Sequence, residues 1–80
     1  MKIGEAINKR IGELCHARGI TVNKLATISG ITQSTLNNIV SGRNNSTTVS
    51  TVQKICDGLE ISIIEFFNSD CFLNIEQEIQ

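Results

Sequence analysis

Residues 33–38 include Gln33, Ser34, Asn37 and Asn38, whose polar side chains can both donate and accept hydrogen bonds. The apolar residues among and after them, Leu36, Ile39 and Val40, have helical spacing, so the polar side chains are left for the exposed face of one helix. An amide can pair bidentately with adenine, and a serine hydroxyl can donate or accept at any base. The same side chains could simply solvate a helix, although exposed helices more often use lysine and glutamate for that purpose.

A second pair of residues with reactive side chains, Cys15 and His16, is adjacent in the sequence. Neighbouring residues on a helix point about 100° apart, so a thiol and an imidazole placed there do not face each other. The three cysteines have no paired C-x-x-C spacing, which favours neither a disulfide framework nor a zinc site. We therefore expect no enzymatic activity, no metal and no cofactor, with reduced thiols in a cytoplasmic protein.

The charge of the chain is unevenly distributed. The 80 residues are 40% hydrophobic and carry a formal net charge of −1, as expected for one globular domain. All seven lysines and arginines lie in residues 1–56, whereas residues 57–80 hold six of the eight acids and no base. The total charge argues against nucleic-acid binding, but the basic segment does not. No apolar run approaches the roughly 20 residues that span a bilayer, so we expect no membrane contact.

Apolar periodicity and capping signals predict five short helices and no strand, hence an all-α fold. The predicted N-caps of the second to fifth helices are Thr21, Thr32, Thr48 and Ser62. The first three helices are predicted to end at Gly19, at Ser29-Gly30 and at Ser41-Gly42. The fourth is predicted to include Leu59, with Asp57-Gly58 near its end. The fifth carries Phe66 and Phe67, which we expect in the core.

The last residues predict a separate element. Phe72, Ile75 and Ile79 are spaced as one face of a short C-terminal helix with Ser69 as its cap. We expect residues 1–68 to form the domain and residues 69–80 an amphipathic acidic tail. This tail could form an interface between two copies of the chain or fold back onto its own core.

Two short helices joined by a tight turn resemble the helix-turn-helix of the Cro/C1-type, or XRE-like, family of DNA-binding regulators. Ala26 matches the position where the two helices cross closely, and Gly30 matches the turn. The residues that fill the angle between the helices are Ile31, Leu36 and Ile39. The resemblance extends over residues 3–67. It implies a compact five-helix, lambda-repressor-like domain that binds double-stranded DNA and controls transcription.

The resemblance also implies roles for individual residues. Residues 32–41 match the recognition helix that enters the major groove, with Gln33, Ser34, Asn37 and Asn38 facing the bases. Because these are amides and hydroxyls with no arginine for guanine, we expect a preference for A·T base pairs. The positions that match backbone phosphate contacts are Thr21, Asn23, Ser41, Arg43, Asn44 and Asn45.

The chain departs from the family pattern at four positions, one of which is Thr47 in place of the usual proline before the fourth helix. Val22 replaces a glutamine that braces the phosphate backbone, and that contact cannot be made here. Cys15 and Val40 replace an arginine and a glutamate that form an ion pair. Because apolar residues can replace a buried ion pair without loss of stability, we expect Cys15 and Val40 to be buried near each other.

The resulting hypothesis is a dimeric transcriptional regulator, a repressor, that binds a pseudo-palindromic operator with its acidic segment turned away from the DNA. Dimerisation doubles the phosphate contacts of a domain with few cations. The tail residues that could form the interface are Phe72, Leu73, Ile75 and Ile79. No small-molecule ligand is implied. The alternative is a protein-interaction module, such as an antitoxin-like partner that uses the acidic C-terminal segment.

Overall fold

The computed structural model describes residues 1–43 and 45–79, in which five α-helices and one 3-10 helix occur without a strand. The α-helices are α1 (Ile3–Arg18), α2 (Val22–Ser29), α3 (Gln33–Val40), α4 (Val49–Leu59) and α5 (Ile63–Phe67), and the 3-10 helix is Asp70–Phe72. This arrangement confirms the predicted all-α fold with five helices. Within the described ranges, no helix has the length and apolar character needed to cross a membrane.

Helices α2 to α5 begin at the hydroxyl residues that the sequence predicted as N-caps, Thr21, Thr32, Thr48 and Ser62. Each side-chain oxygen accepts a hydrogen bond of 3.0–3.2 Å from the backbone N–H three residues later. One otherwise unpaired N–H in each helix is thereby satisfied, which stabilises the helix by about 1 kcal/mol per cap.

The end of α4 agrees with the prediction that Leu59 belongs to the helix and that Gly58 lies near its end. The residue that takes the left-handed conformation is Glu60, with φ of 58°, and not the glycine. Gly58 serves instead as the point where α4 approaches α2. A Cβ atom at Gly58 would lie 2.6 Å from Ser29 Oγ and 2.9 Å from the Ile28 carbonyl oxygen. The glycine is therefore required by close packing between helices and not by the chain reversal.

The core lies among all five helices. Its largest side chains with under 2% exposure are Phe66, Ile11, Leu25, Leu36, Ile39, Ile55 and Leu59. The expectation that both aromatic residues of α5 are in the core is half wrong, because Phe66 is fully buried and Phe67 is 38% exposed. Phe67 forms the outer part of an aromatic cluster, with its ring centre 5.0 Å from Phe66 and 4.9 Å from Phe72.

Two arginines of α1 hold the ends of other helices. Arg10 donates through Nε to the Phe66 carbonyl oxygen at 2.6 Å and through Nη2 to the Glu65 carbonyl oxygen at 2.9 Å. Arg18 donates through Nη2 to the Leu59 carbonyl oxygen at 2.8 Å. A guanidinium satisfies carbonyl groups at a helix C-terminus and complements the negative end of the helix dipole. These two cations therefore stabilise the fold.

The C-terminal segment, residues 69–79, runs back along α1. Ser69 Oγ donates to Glu13 Oε1 at 3.0 Å, and the Cys71 thiol donates to the Ala6 carbonyl oxygen at 3.7 Å. Further along, the Glu76 N–H donates to the Met1 carbonyl oxygen at 3.1 Å. Of the two alternatives for this tail, the described contacts place it against its own chain.

The predicted C-terminal helix is present only as the 3-10 helix, and the expectation that it continues through Ile79 is wrong. Ser69 caps that short helix, as predicted, by accepting from the Cys71 N–H. The contacts of Ser69 with Glu13 and of Glu76 with Met1 span about 18 Å along α1. An α-helix over residues 69–76 would reach only about 10 Å, whereas a largely extended chain covers the distance.

Candidate nucleic-acid interface

Helices α2 and α3 are joined by the tight turn of a helix-turn-helix. Gly30 has φ of 69°, a left-handed conformation that a residue with a Cβ rarely adopts, and the Ile31 N–H donates to the Ala26 carbonyl oxygen at 3.0 Å. Ala26 is fully buried, as expected for a small residue where helices cross, and Ile31 packs at the edge of the core.

The four residues predicted to face DNA bases all lie on α3. Gln33, Ser34 and Asn37 are exposed and Asn38 is half-buried. The opposite side of the helix is anchored by Leu36 and Ile39, which are 0% and 1% exposed. No residue of α3 is charged, so the surface presents amide and hydroxyl groups alone.

The residues predicted to contact phosphate lie at the start of α2 and after α3. Asn23, Ser41 and Arg43 are exposed, and Arg43 has no ion-pair partner among residues 1–43 and 45–79. Thr21 is also exposed, but its hydroxyl oxygen already accepts from the Lys24 N–H as the helix cap. Asn44 lies outside the described residues.

One hydrogen bond connects the two predicted groups of contacts. Asn37 Nδ2, on α3, donates to Asn23 Oδ1, on α2, at 3.4 Å. A residue predicted to contact a base and a residue predicted to contact a phosphate are thus direct neighbours on the surface.

The loop after α3 is held in place by α1. Asn8 Nδ2 donates to Asn45 Oδ1 at 2.8 Å, and the Asn45 carbonyl oxygen lies so close to Gly4 that a Cβ there would collide with it. Asn45 therefore has a structural contact in addition to its predicted phosphate contact.

Sequence reasoning did not identify Gly4 and Asn8 as residues that position the loop. The available signal was their spacing, because Gly4, Asn8, Ile11 and Cys15 share one face of α1. A polar residue on such a face needs a hydrogen-bond partner.

The cations are not all available to a ligand. Arg10 and Arg18 bind carbonyl oxygens, and Lys2 Nζ lies 3.9 Å from Glu78 Oε2. Lys9, Lys24, Arg43 and Lys54 have no salt bridge within the described part of the chain. The basic character of residues 1–56 is therefore provided to solvent mainly by these four.

The end of the acidic segment lies beside the N-terminus of α1. Glu76 Oε2 lies 3.0 Å from the N-terminal ammonium of Met1, and Glu78 pairs with Lys2. Lys2 caps α1, and Gly4, two residues later, contacts the loop at Asn45. The end of the acidic segment thus lies at the same end of α1 that supports the loop.

Cys15 and Val40 differ in burial. Cys15 is buried, as expected, and Val40 is half-buried at the last residue of α3. Val40 lines a surface depression of about 310 Å³. The other residues that line this depression are Glu5, Asn8, Ser41, Gly42 and Asn45.

The thiol and imidazole of residues 15 and 16 do not form a catalytic pair. Burial raises the pKa of the Cys15 thiol, whereas the next residue, His16, is exposed. A protonated, buried thiol is a poor nucleophile. Among the described residues, no group of three or more histidines, cysteines and acids could hold a metal ion.

Comparison with known proteins supports the helix-turn-helix interpretation. A family model described as the Cro/C1-type helix-turn-helix DNA-binding domain matches residues 10–70. The chain is also similar to a solved structure, the crystal structure of the prophage Lp1 protein 11, with 34% identity and a TM-score of 0.79. The match covers 94% of this chain and 100% of that chain. No curated protein is significantly similar in sequence.

Proposed function

The chain belongs to the family of Cro/C1-type helix-turn-helix DNA-binding domains, and we propose that it is a transcriptional repressor that places α3 in the major groove of a specific duplex. The observation that carries this proposal is the uncharged polar face of α3, with Gln33, Ser34 and Asn37 exposed above a buried Leu36 and Ile39. A helix anchored in this way holds its polar side chains at defined positions, which direct reading of base edges requires.

The bases read by this helix are expected to be mainly adenines and thymines. Glutamine and asparagine amides match the donor and acceptor of adenine in the major groove, and the helix has no arginine to pair with guanine. Gln33 and Ser34, in the first turn of α3, are the first candidates, followed by Asn37 and Asn38 one turn later.

Phosphate contacts are proposed for Thr21, Asn23, Ser41, Arg43, Asn44 and Asn45. Arg43 is the strongest candidate because it is exposed and carries no salt bridge within the described residues. Backbone contacts of this kind set the affinity and the orientation of the domain, and they contribute no base preference.

We propose that the domain acts as a dimer on a pseudo-palindromic operator. Two recognition helices about 34 Å apart reach successive turns of the major groove and double the phosphate contacts. Of the four tail residues considered for the interface, Phe72 and Ile75 are half-buried against their own chain, whereas Leu73 and Ile79 are 73% and 86% exposed. The latter two are the better candidates.

The dimer interface can be tested by sedimentation. Leu73→Asp with Ile79→Asp should lower dimerisation, and Ile64→Asp, at another strongly exposed apolar position, is the comparison variant. Unchanged dimerisation in the tail variant would exclude the tail as the interface.

DNA binding is tested by selection from a randomised duplex pool at two salt concentrations. We expect a consensus rich in A·T pairs at the contacted positions and an affinity that falls with salt, because phosphate contacts release counterions. Gln33→Ala should change the consensus, whereas Gln53→Ala, at an exposed glutamine on α4, should not. A consensus dominated by guanine would contradict the proposed readout, and failure to bind any duplex would contradict the function.

The alternative function, a protein-interaction module of the antitoxin-like kind, would use the acidic C-terminal segment. In this chain Glu76 and Glu78 pair with Met1 and Lys2, so a basic partner would have to compete with these contacts. A stoichiometric protein partner in the absence of DNA binding would favour this alternative.

A further inference from the structure

The end of the C-terminal segment pairs with the positive charges of Met1 and Lys2. Glu76 Oε2 lies 3.0 Å from the Met1 ammonium, and Glu78 Oε2 lies 3.9 Å from Lys2 Nζ. The Glu76 N–H also donates to the Met1 carbonyl oxygen at 3.1 Å, so the backbone as well as the charges brings the two ends together. Both carboxylates are more than half exposed, and exposed ion pairs of this kind contribute little to folding.

These cations lie next to the loop that is proposed to contact phosphate. The Lys2 N–H donates to Glu5 Oε1 at 3.3 Å, and Glu5 lines the surface depression together with Ser41 and Asn45. Gly4, two residues after Lys2, lies against the Asn45 carbonyl oxygen. A DNA backbone that contacts Ser41 and Asn45 would therefore pass close to Lys2.

The pairing removes a large share of the positive charge that DNA could meet. Arg10 and Arg18 are bound to carbonyl oxygens. The cationic side chains without a salt bridge in the described part of the chain are Lys9, Lys24, Arg43 and Lys54. Release of Met1 and Lys2 from their carboxylates would add two cations to these four. Because each cation that neutralises a phosphate releases a counterion, the affinity of a domain with so few cations depends strongly on each one.

We propose that residues 76–78 act as an autoinhibitory strap, which lowers the affinity for DNA by occupying the cations of Met1 and Lys2. When a duplex binds, the two carboxylates give up their partners and phosphate takes their place on the same cations. The inference rests on the proposed function, and it adds an intramolecular contact that limits how tightly the domain binds any sequence. Because backbone contacts carry no base preference, the strap changes the affinity and leaves the consensus unchanged.

Removal of the two carboxylates tests the proposal in the full chain. At about 0.1 M salt, Glu76→Gln with Glu78→Gln should bind a duplex about two- to fivefold more tightly than the unmodified chain does, because no surface ion pair has to be broken. The plot of log affinity against log salt should become steeper by about 1 to 2, since up to two more phosphates are neutralised. Fluorescence anisotropy titrations at several salt concentrations measure both quantities, with a selected duplex and with an unrelated duplex of the same length.

The matched control makes the same change in net charge away from the strap. It is Glu60→Gln with Glu65→Gln, because both side chains are exposed and without a salt bridge in the described ranges. The carbonyl oxygen before Glu60 binds Arg18, and the Glu65 carbonyl oxygen binds Arg10. Along α1 these arginines lie about 24 and 12 Å from Lys2, beyond the screening length of about 10 Å at 0.1 M salt. The control should therefore keep the affinity of the unmodified chain.

A further pair of variants shows whether Glu78 acts through Lys2. Glu78→Gln alone should raise the affinity, and adding Lys2→Gln should remove that gain, because no cation is then left to release. If the gain persists without Lys2, Glu78 acts by repelling phosphate directly and the proposal is overturned. The melting temperature of each variant checks that it folds.

The proposal is also overturned if Glu76→Gln with Glu78→Gln binds no more tightly than the unmodified chain, or if the control variant gains as much. Failure of the proposed function has a different signature, because then neither the unmodified chain nor the strap variant binds any duplex, even at low salt.

Discussion

The helix-turn-helix surface and the C-terminal segment are held together by different kinds of interaction. At the surface formed by α2 and α3, the helices begin at threonine caps that bond to residues three positions away, and the turn closes through the Ile31 N–H and the Ala26 carbonyl oxygen. Residues 69–79 instead contact α1 and the two residues before it through pairs more than 50 residues apart, including two ion pairs at the chain ends.

Because of this difference, we expect the helix-turn-helix surface to be rigid and the C-terminal segment to respond to ionic conditions. Neutral hydrogen bonds between near neighbours, over a buried apolar face, are insensitive to salt and hold the proposed base-reading side chains in place. Surface ion pairs are weak and screened by salt, so the C-terminal segment is the part of the molecule that ionic conditions can loosen.

The packing behind the helix-turn-helix should be the most sensitive point. Gly58→Ala places a Cβ 2.6 Å from Ser29 Oγ and 2.9 Å from the Ile28 carbonyl oxygen, so α2 must move away from α4. We expect the free energy of unfolding to fall by about 2 kcal/mol, after allowance for the better helix propensity of alanine. Denaturant unfolding of the variant and the unmodified protein measures this change in the free energy of unfolding.

The control for that variant is Gly12→Ala, because a Cβ at the half-buried Gly12 would meet no atom within 4 Å apart from its chain neighbours and the backbone of α1. This variant should gain about 0.5–1 kcal/mol from helix propensity alone. If the free energy of unfolding changed equally in Gly58→Ala and Gly12→Ala, the close packing of Gly58 against α2 would not contribute to stability.

A substitution that displaces the loop after α3 should destabilise the protein less than Gly58→Ala does. Gly4→Ala introduces a Cβ that collides with the Asn45 carbonyl oxygen, so the loop must shift. Because a loop moves more easily than a helix, we expect a loss of only about 1 kcal/mol in stability. DNA affinity should fall without a change in the consensus, measured by the same duplex selection. An altered consensus would mean that the loop also sets the orientation of α3.

The end of α4 offers a gain in stability. Glu60 has φ of 58°, a conformation that costs a residue with a Cβ about 1 kcal/mol. Glu60→Gly should therefore raise the free energy of unfolding by about 0.5–1 kcal/mol. Glu60→Ala keeps the strained backbone and removes the same charge. A similar gain in Glu60→Ala would assign the effect to charge and not to conformation.

The C-terminal segment should give the smallest effect on stability. Glu76→Gln with Glu78→Gln removes two exposed ion pairs and should cost about 0.2–1 kcal/mol in low salt and almost nothing in high salt. Cys71 lies in this segment and is half-buried, so its alkylation rate reports loosening. It should rise in the variant and in salt, while the rate of buried Cys15 stays low. A salt-independent Cys71 rate would show that charge does not hold the segment.

The features that sequence reasoning predicted correctly depend on near neighbours. The N-caps Thr21, Thr32, Thr48 and Ser62 and the turn at Gly30 are set by side chains and backbone conformations within a few residues. The uncharged face of α3 followed from helical periodicity, because Leu36 and Ile39 must be buried and their polar neighbours are then exposed.

The features that it missed depend on residues far apart in the chain. Nothing in the local sequence indicates that Gly58 faces Ser29, or that Arg10 and Arg18 bind carbonyl oxygens of α5 and α4. The apolar spacing of Phe72, Ile75 and Ile79 predicted a longer helix, because periodicity does not include the length of α1 that the segment has to follow.

The all-α fold, the helix-turn-helix and the polar residues of its outer face can be predicted from the sequence, since each depends on periodicity, capping and turn conformation over a few residues. Which of these side chains contact each other depends on how the helices pack. The Asn23–Asn37 pair, the support of Asn45 by Gly4 and Asn8, and the path of the acidic segment along α1 all arise when distant parts of the chain pack together. Their geometry depends on how helices cross, and no local pattern encodes that.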